Sequence, residues 1–380
     1  MTNKRPSNNN LEDDRDRFFI KKTKTDNCHD DMIYLNREIN DIDDLIFLGE
    51  QYRPEKKYNI NLEKLYKLIP VLTKLKKVIG MENVKKTIVN QIIYFIQDFQ
   101  EKNSDMLHTV IQGPPGVGKT MLGEIIGEIY FRLDIIQQPD KQPKEKVQSC
   151  CGDEDDQDNE VKSHLDFKFI IAKRSDLIGK FLGHTAAKTQ EVINKSLGGV
   201  LFIDEAYSLG NPEGRDSFSK ECIDTINQNL TEKKNQLLLI IAGYKDALDT
   251  CFFSYNEGLR RRFPFVYTID RYQPDEMSKI LYKMVNNLGA RWELKVDDDI
   301  LIKFFDKNMK MFPNSAGDIE TLVFNIKIEH SKRVFCQPPW SDLRRKINKT
   351  DIDNALKNYQ SNKEKKDKNE IPEWLKHLYV

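Results

Sequence analysis

GPPGVGKT, residues 113–120, lies between an apolar run, Thr109 to Gln112, and a stretch of helical spacing, Met121 to Tyr130. Strand, glycine-rich loop and helix in that order are the setting that a phosphate-binding loop requires. In such a loop Gly113, Gly116 and Gly118 let backbone N–H groups turn inward around the β- and γ-phosphates, and the helix N-terminus adds a favourable dipole. Pro114, Pro115 and Val117 complete the loop, Lys119 supplies a point charge between phosphates, Thr120 offers a hydroxyl to Mg2+, and Met121 opens the helix. Glycine and proline also make ordinary turns, but the full eight-residue match in this context points to ATP and Mg2+ as cofactors.

Further along stands GGVLFIDEAYSL, residues 198–209, where an apolar strand ends abruptly in two adjacent carboxylates. Such a pair is costly to bury without partners. Asp204 suits a contact to Mg2+, direct or through a bound water, and Glu205 is placed to polarise a water for in-line attack on the γ-phosphate. The alternative is a solvated pair at a strand end, which the loop at 113 makes the weaker choice.

Other short apolar runs read as buried strands: Phe167 to Ala172, Leu237 to Ala242 and Phe265 to Ile269. Helical segments separate them, so the expected fold is α/β, a P-loop NTPase with a parallel sheet covered by helices on both faces. Ahead of the loop, Leu65, Leu68, Ile69 and Leu72, then Val84, Ile88, Ile92 and Phe95, are spaced for two helices broken at Ile79 and Gly80. Beyond Tyr272 the strand-like runs stop, and helical spacing around Ile280–Leu288, Ile300–Phe305, Ile319–Val334 and Ile352–Tyr359 implies a small all-helical lid domain.

The expected organisation is a polar, partly disordered arm over 1–60, a nucleotide-binding α/β domain over 61–270, the helical lid over 271–360 and a charged tail over 361–380. Within the arm, Ile33 to Leu48 carries some helical spacing. A polar insertion at 137–163, with the acidic run Asp153 to Asp158, reads as a disordered surface segment. Sixty basic residues balance sixty acidic ones. Overall charge therefore supplies no attraction to nucleic acid or an acidic membrane, and any such partner would need a local patch. No stretch has the apolar length of a signal or a membrane span, so the expectation is an intracellular, cytoplasmic protein without membrane contact. Six scattered cysteines do not form a disulfide framework, and the neighbours Cys150 and Cys151 with His164 make a poor zinc set.

These motifs resemble those of the AAA+ ATPases over roughly 72–334, and most closely the group containing red-type Rubisco activase (CbbX) and stage V sporulation protein K. DLIGKFLGHTAAKTQEV at 176–192 leading into GGVLFIDEAYSL carries that likeness. The Lys-, Asn- and Ile-rich composition is similar to that of proteins of large DNA viruses. From spacing alone Phe181 and Leu182 read as core residues after a strand. The resemblance instead implies that Lys180, Phe181, Leu182 and Gly183 form a pore loop, whose aromatic ring grips a threaded polypeptide in a hexameric ring.

It also implies that the arginines of NEGLRRRFPF, 256–265, reach a neighbouring subunit's ATP, Arg262 first and Arg260 second, against the alternative of a solvated basic turn. IIAGY puts Tyr244 where many relatives have an asparagine sensor, and a phenol donates in a different geometry. NSAGDIETL at 314–322 resembles the small-residue form of the second sensor, with Gly317 near the adenine and Ile79 and Gly80 on its other side.

Three functions are compatible with these features. The leading one is a homo-oligomeric, hexameric remodelling ATPase that pulls on an unidentified protein substrate. The second is a nucleic-acid motor or loader, for which Arg333, Arg344, Arg345, Lys346 and Lys349 with Trp340 are the local hint. The third, a platform that binds ATP without turnover, fits poorly with Lys119, Asp204 and Glu205 together.

Overall fold

The structure, a computed structural model, describes residues 32–99, 106–137, 167–181, 183–210, 216–289 and 292–369. The expected insertion, apart from Gln137, and the last residues of the expected tail lie outside the described residues, as do Cys150, Cys151 and Leu182. The elements in chain order are β1 (Met32–Ile33), α1 (Ile42–Glu50), β2 (Lys57–Tyr58), α2 (Leu62–Lys76), α3 (Glu82–Ile96), β3 (Thr109–Gln112) and α4 (Lys119–Arg132). Next come β4 (Phe169–Ala172), α5 (Arg174–Leu177), α6 (His184–Ser196), β5 (Gly199–Ile203), α7 (Ser217–Glu232), β6 (Leu237–Gly243), α8 (Lys245–Cys251) and β7 (Phe265–Thr268). The remainder is α9 (Pro274–Asn286), β8 (Glu293–Lys295), α10 (Asp298–Asn308), α11 (Ala316–Val334), β9 (Lys346–Asn348) and α12 (Lys349–Asn369).

Five strands form one parallel sheet in the order β4-β5-β6-β3-β7. The alternation of strand side chains divides the core between its two faces. Val200, Phe202, Leu238, Ile240 and Ala242 pack with α2, α3 and α4 on one side, while Leu201, Ile203, Leu237, Leu239 and Ile241 pack with residues of α6 and α7 on the other. Uniform burial explains why β3, β5 and β6 read as continuous apolar runs, whereas β4 and β7, expected as buried, are edge strands with Ile171 and Val266 exposed. The registers Gln112↔Gly243, Gln112↔Thr268 and Ile203↔Ile241 align the C-terminal ends of β3, β5, β6 and β7 along one edge of the sheet. That is the edge where open α/β sheets receive ligands.

Part of the stretch expected as an arm is folded against the helices that follow it. Asp41 caps α1, accepting from Asp44 N at 2.9 Å, and α1 packs Ile42, Leu45 and Leu48 against α2. Glu128 of α4, buried, ties α2 to α4 through Lys74 at 2.7 Å, and its helix neighbour Arg132, held at 2.8 Å, donates to Lys67 O of α2 at 3.2 Å. Past Pro274 the fold is helical as expected, with one addition: β8 and β9 form a short parallel pair. Asp351 anchors that pair to α11, accepting from Arg333 Nε at 2.8 Å and Nη2 at 2.9 Å. Helix α12 runs on to Asn369, through the start of the stretch expected as a charged tail.

His108, fully buried at the start of β3, accepts from Leu239 N through Nδ1 and so donates from Nε2 to the Leu230 carbonyl, both at 3.2 Å. Burial, helped by the charge of Arg262 and opposed by the hydrogen bond to Leu230, pushes its pKa down to about 4 from 6.5. The folded state therefore resists a proton that the unfolded chain accepts. Stability is complete above about pH 6.5 and falls as pH drops toward 4. Thermal or urea unfolding should show His108→Asn losing about 2 kcal/mol less than the parent between pH 7 and 5. Equal losses in both proteins would contradict this.

Candidate functional site

Residues 113–120, expected as the phosphate loop, occupy the turn from β3 into α4. Gly116 and Gly118 have φ of 70° and 87°, which side chains with a Cβ rarely adopt. The turn is also crowded. A Cβ on Gly113 would stand 2.6 Å from the Ile269 carbonyl oxygen, and one on Gly116 would stand 2.0 Å from that of Asn314. Lys119 begins α4, and its Nζ donates to the Gly113 and Pro114 carbonyls at 3.0 and 2.8 Å. Burial draws this ammonium below the ordinary lysine range, against the opposing pull of Asp204 and Glu205. A half-buried ammonium at a glycine-rich turn suits a polyanion, while the two carboxylates beside it would repel one unless a cation stood between.

Asp204 and Glu205 follow β5 directly. Asp204 Oδ1 accepts from Glu205 N at 3.0 Å, and Glu205 has φ of 50°, the left-handed region. A non-glycine residue held there stores about 1–2 kcal/mol of strain, a feature found at active sites. Tyr244, next after β6, lies beside them, with the Lys119 ammonium 5.3 Å from its ring centroid. The sheet register thus brings Lys119, Asp204, Glu205 and Tyr244 together from three strand ends.

Two further sides close around the loop. From the lid, Ala316 N donates to Gly116 O at 3.2 Å, and Gly317 has open space where its Cβ would be. Tyr272, at the start of the lid, donates to Val117 O at 3.0 Å. On the other side Gly80, with φ of 69°, sits against Glu276, and Met81 Cε comes within 3.6 Å of where a Cβ on Gly118 would stand. Ile79 packs against the core beside it. Tyr272, Met81 and Asn314 were not singled out in the sequence, because each has the look of an ordinary packing or turn residue.

The remaining predicted residues stand apart from this cluster. Phe181 is 66% exposed and meets His184 edge-on at 5.6 Å, between exposed Lys180 and Gly183, whose φ of 81° opens α6. Arg260 pairs with Asp249 and covers the Phe253 ring at 4.7 Å. Arg262 donates from Nε to Thr231 Oγ1 at 3.1 Å and from Nη1 to Gly258 O at 2.8 Å. Arg261, which sequence reasoning passed over, is exposed between them. Of the basic stretch near Trp340, Arg333 is engaged by Asp351 and Lys346 O, while Trp340 itself is 84% exposed.

Residues 158–271 match the family described as ATPase family associated with various cellular activities (AAA). The putative cfxQ-like protein R730 of Acanthamoeba polyphaga mimivirus is 40% identical over 334 residues, covering 87% of this chain and 75% of that protein. The chain belongs to the AAA ATPase family. Stage V sporulation protein K of Bacillus subtilis is 33% identical to this AAA ATPase over 257 residues, covering 63% of the chain and 70% of that protein. Among solved structures, the FIGL-1 AAA domain in complex with ADP superposes with a TM-score of 0.51 at 17% identity, covering 74% of this chain and 83% of that one. That likeness shows the AAA fold. The group and the viral kinship suggested by the sequence are thus both met, and membership makes the protein an ATP-hydrolysing enzyme. Among the described residues of this AAA ATPase, no helix is long and apolar enough to cross a membrane.

Proposed function

We propose that this AAA ATPase works as a homo-oligomeric ring, a hexamer, that remodels a protein by drawing it through a central pore. The observation that carries this reading is Phe181: a large aromatic ring, 66% exposed, beside a glycine in the left-handed region, at the start of α6. Apart from its edge-on contact with His184 the ring is left to solvent, and a channel-facing ring would grip any extended chain without demanding a sequence. Residues 61–270 would form the nucleotide-binding domain, 271–360 the lid, and Leu182 would belong to the gripping loop.

ATP would lie across the turn of 113–120, with Lys119 on its phosphates and its adenine between Ile79, Gly80 and Gly317. Thr120 and Asp204 offer a hydroxyl and a carboxylate, hard oxygen donors of the kind Mg2+ takes alongside phosphate oxygens and waters. The ion, when bound, neutralises charge on the transferring phosphoryl group. Glu205 would take a proton from the attacking water as the bond from the γ-phosphorus to the bridging oxygen breaks, leaving ADP and phosphate. Tyr244 would sense the γ-phosphate from the end of β6, and Arg262 or Arg260 would reach the neighbour's site.

The test compares ATP hydrolysis with an unfolded model protein and with single-stranded DNA. Protein should stimulate turnover, and Phe181→Ala should lose most of that stimulation while keeping basal hydrolysis within about twofold. Stimulation by DNA alone, unchanged by Phe181→Ala, would favour a nucleic-acid motor of the same fold.

A further inference from the structure

The turn that follows Glu205 and the loop that carries Phe181 meet at an arginine. Arg174 opens α5, directly after β4, and α5 leads on to Lys180 and Phe181. From Nη1 it donates to the Ser208 carbonyl at 2.5 Å, in the short 3-10 turn Ala206–Leu209, and to Ser219 Oγ at 3.2 Å. From Nη2 it donates to Asp216 Oδ2 at 2.8 Å, and Asp216 caps α7 by accepting from Phe218 N at 3.0 Å. A planar guanidinium can span such acceptors because its donors point in fixed directions, which the point charge of a lysine does not offer.

Each of the parts that Arg174 joins is also held by bonds of its own. In the turn, Ser208 N donates to Glu205 O at 2.7 Å, Ala206 and Leu209 are buried, and the Tyr207 ring rests on that of Tyr244, centroids 5.5 Å apart. On the other side, Thr189 Oγ1 donates to Leu177 O at 3.1 Å, Lys188 Nζ donates to Ile178 O at 3.0 Å, and Gly179 N donates to Thr185 Oγ1 at 3.1 Å. His184 N donates to Phe181 O at 3.2 Å, which fastens the exposed residue to the first turn of α6. Helix α5, the loop and α6 are thus one hydrogen-bonded unit. The ion pair of Arg174 with Asp216 is partly exposed, and such pairs add little to folding stability.

We propose that Arg174 is a positioning residue that couples the two sites: it ties the backbone beyond Glu205 to α5, so that a displacement of that turn as the γ-phosphate leaves is carried into the unit bearing Phe181. This rests on Phe181 being the ring that holds substrate and on Glu205 facing the γ-phosphate.

Arg174→Met keeps the stem and removes the fork, while Arg174→Lys keeps a charge for Asp216 without spanning to Ser208. With casein as the unfolded protein, both should lower the maximal stimulated rate about fivefold. The casein concentration that gives half of that rate, basal hydrolysis, KM for ATP and melting temperature should all stay near the parent's. A weakened grip would raise the casein concentration, and damage to the fold would lower the melting temperature. Either result would overturn the proposal, as would a parental maximum in Arg174→Met or full recovery in Arg174→Lys. A second measurement needs no substrate. Hydrogen exchange at the amides of Gly179 and His184 should differ in the parent between a non-hydrolysable ATP analogue and ADP, and Arg174→Met should abolish the difference. No difference in the parent, or one that persists in Arg174→Met, would overturn the link. A parent that casein fails to stimulate would count against the pore reading instead, and the exchange result would still decide whether Arg174 joins the two sites.

Discussion

Lys119→Ala is expected to abolish nucleotide binding, whereas Glu205→Gln is expected to bind ATP as the parent does and to lose turnover by roughly 10²–10³. The two changes act on different parts of one cluster. Lys119 places its ammonium among the loop carbonyls of Gly113 and Pro114, where a polyphosphate would exchange those neutral acceptors for charged ones. Alanine leaves a half-buried, uncompensated anion beside Asp204 and Glu205, so binding itself fails. Glutamine at 205 keeps volume and accepts a hydrogen bond, yet it cannot take a proton from water. Binding measured by a fluorescent ATP analogue, and phosphate release measured alongside, separate the two. A Glu205→Gln protein that hydrolyses ATP at the parent rate would sink the assignment.

How much of this site was legible in the sequence depends on whether a residue acts through its neighbours in the chain or through the fold. The strand-loop-helix around 113–120 and the strand ending at Asp204 are local, and the apolar runs of β3, β5 and β6 are continuous because both faces of those strands are buried. The pairs β1–β2 and β8–β9 escaped because two or three residues cannot display a period. Helix α1 was visible only as weak spacing, and its place against α2 comes from burial of Ile42, Leu45 and Leu48, which no local pattern states. Tyr207 stood inside a quoted motif and still went unread. Its partner Tyr244 is 37 positions away, brought alongside by the register of β5 with β6. Asn314 and Ala316 meet Gly116 because the C-terminal helices fold back onto the turn after β3, about 200 residues along the chain.

The arginines at 260–262 pose the question that a single chain leaves to experiment, because a finger acts across a subunit boundary and ties catalysis to assembly. Turnover per subunit should rise with protein concentration. Arg262→Ala should bind ATP normally and hydrolyse it poorly, since loss of such a charge costs ~10³ in rate. Mixing it with Glu205→Gln should restore activity in part. The intact Glu205 of the first variant then meets the intact Arg262 of the second at a shared site, and neither protein alone can build that pairing. Two of the Arg262 donors are already engaged by Thr231 and Gly258 in its own chain. Arg260 is likewise held by Asp249. Exposed Arg261 therefore belongs in the same experiment: rescue of Arg261→Ala by Glu205→Gln, with none for Arg262→Ala, would move the finger by one residue and leave Arg262 as the clamp that joins this turn to α7. Concentration-independent turnover, with no rescue in a mixture confirmed to co-assemble, would reject the shared site. The three arginines would then be an ordinary basic turn, and hydrolysis would be the work of one chain.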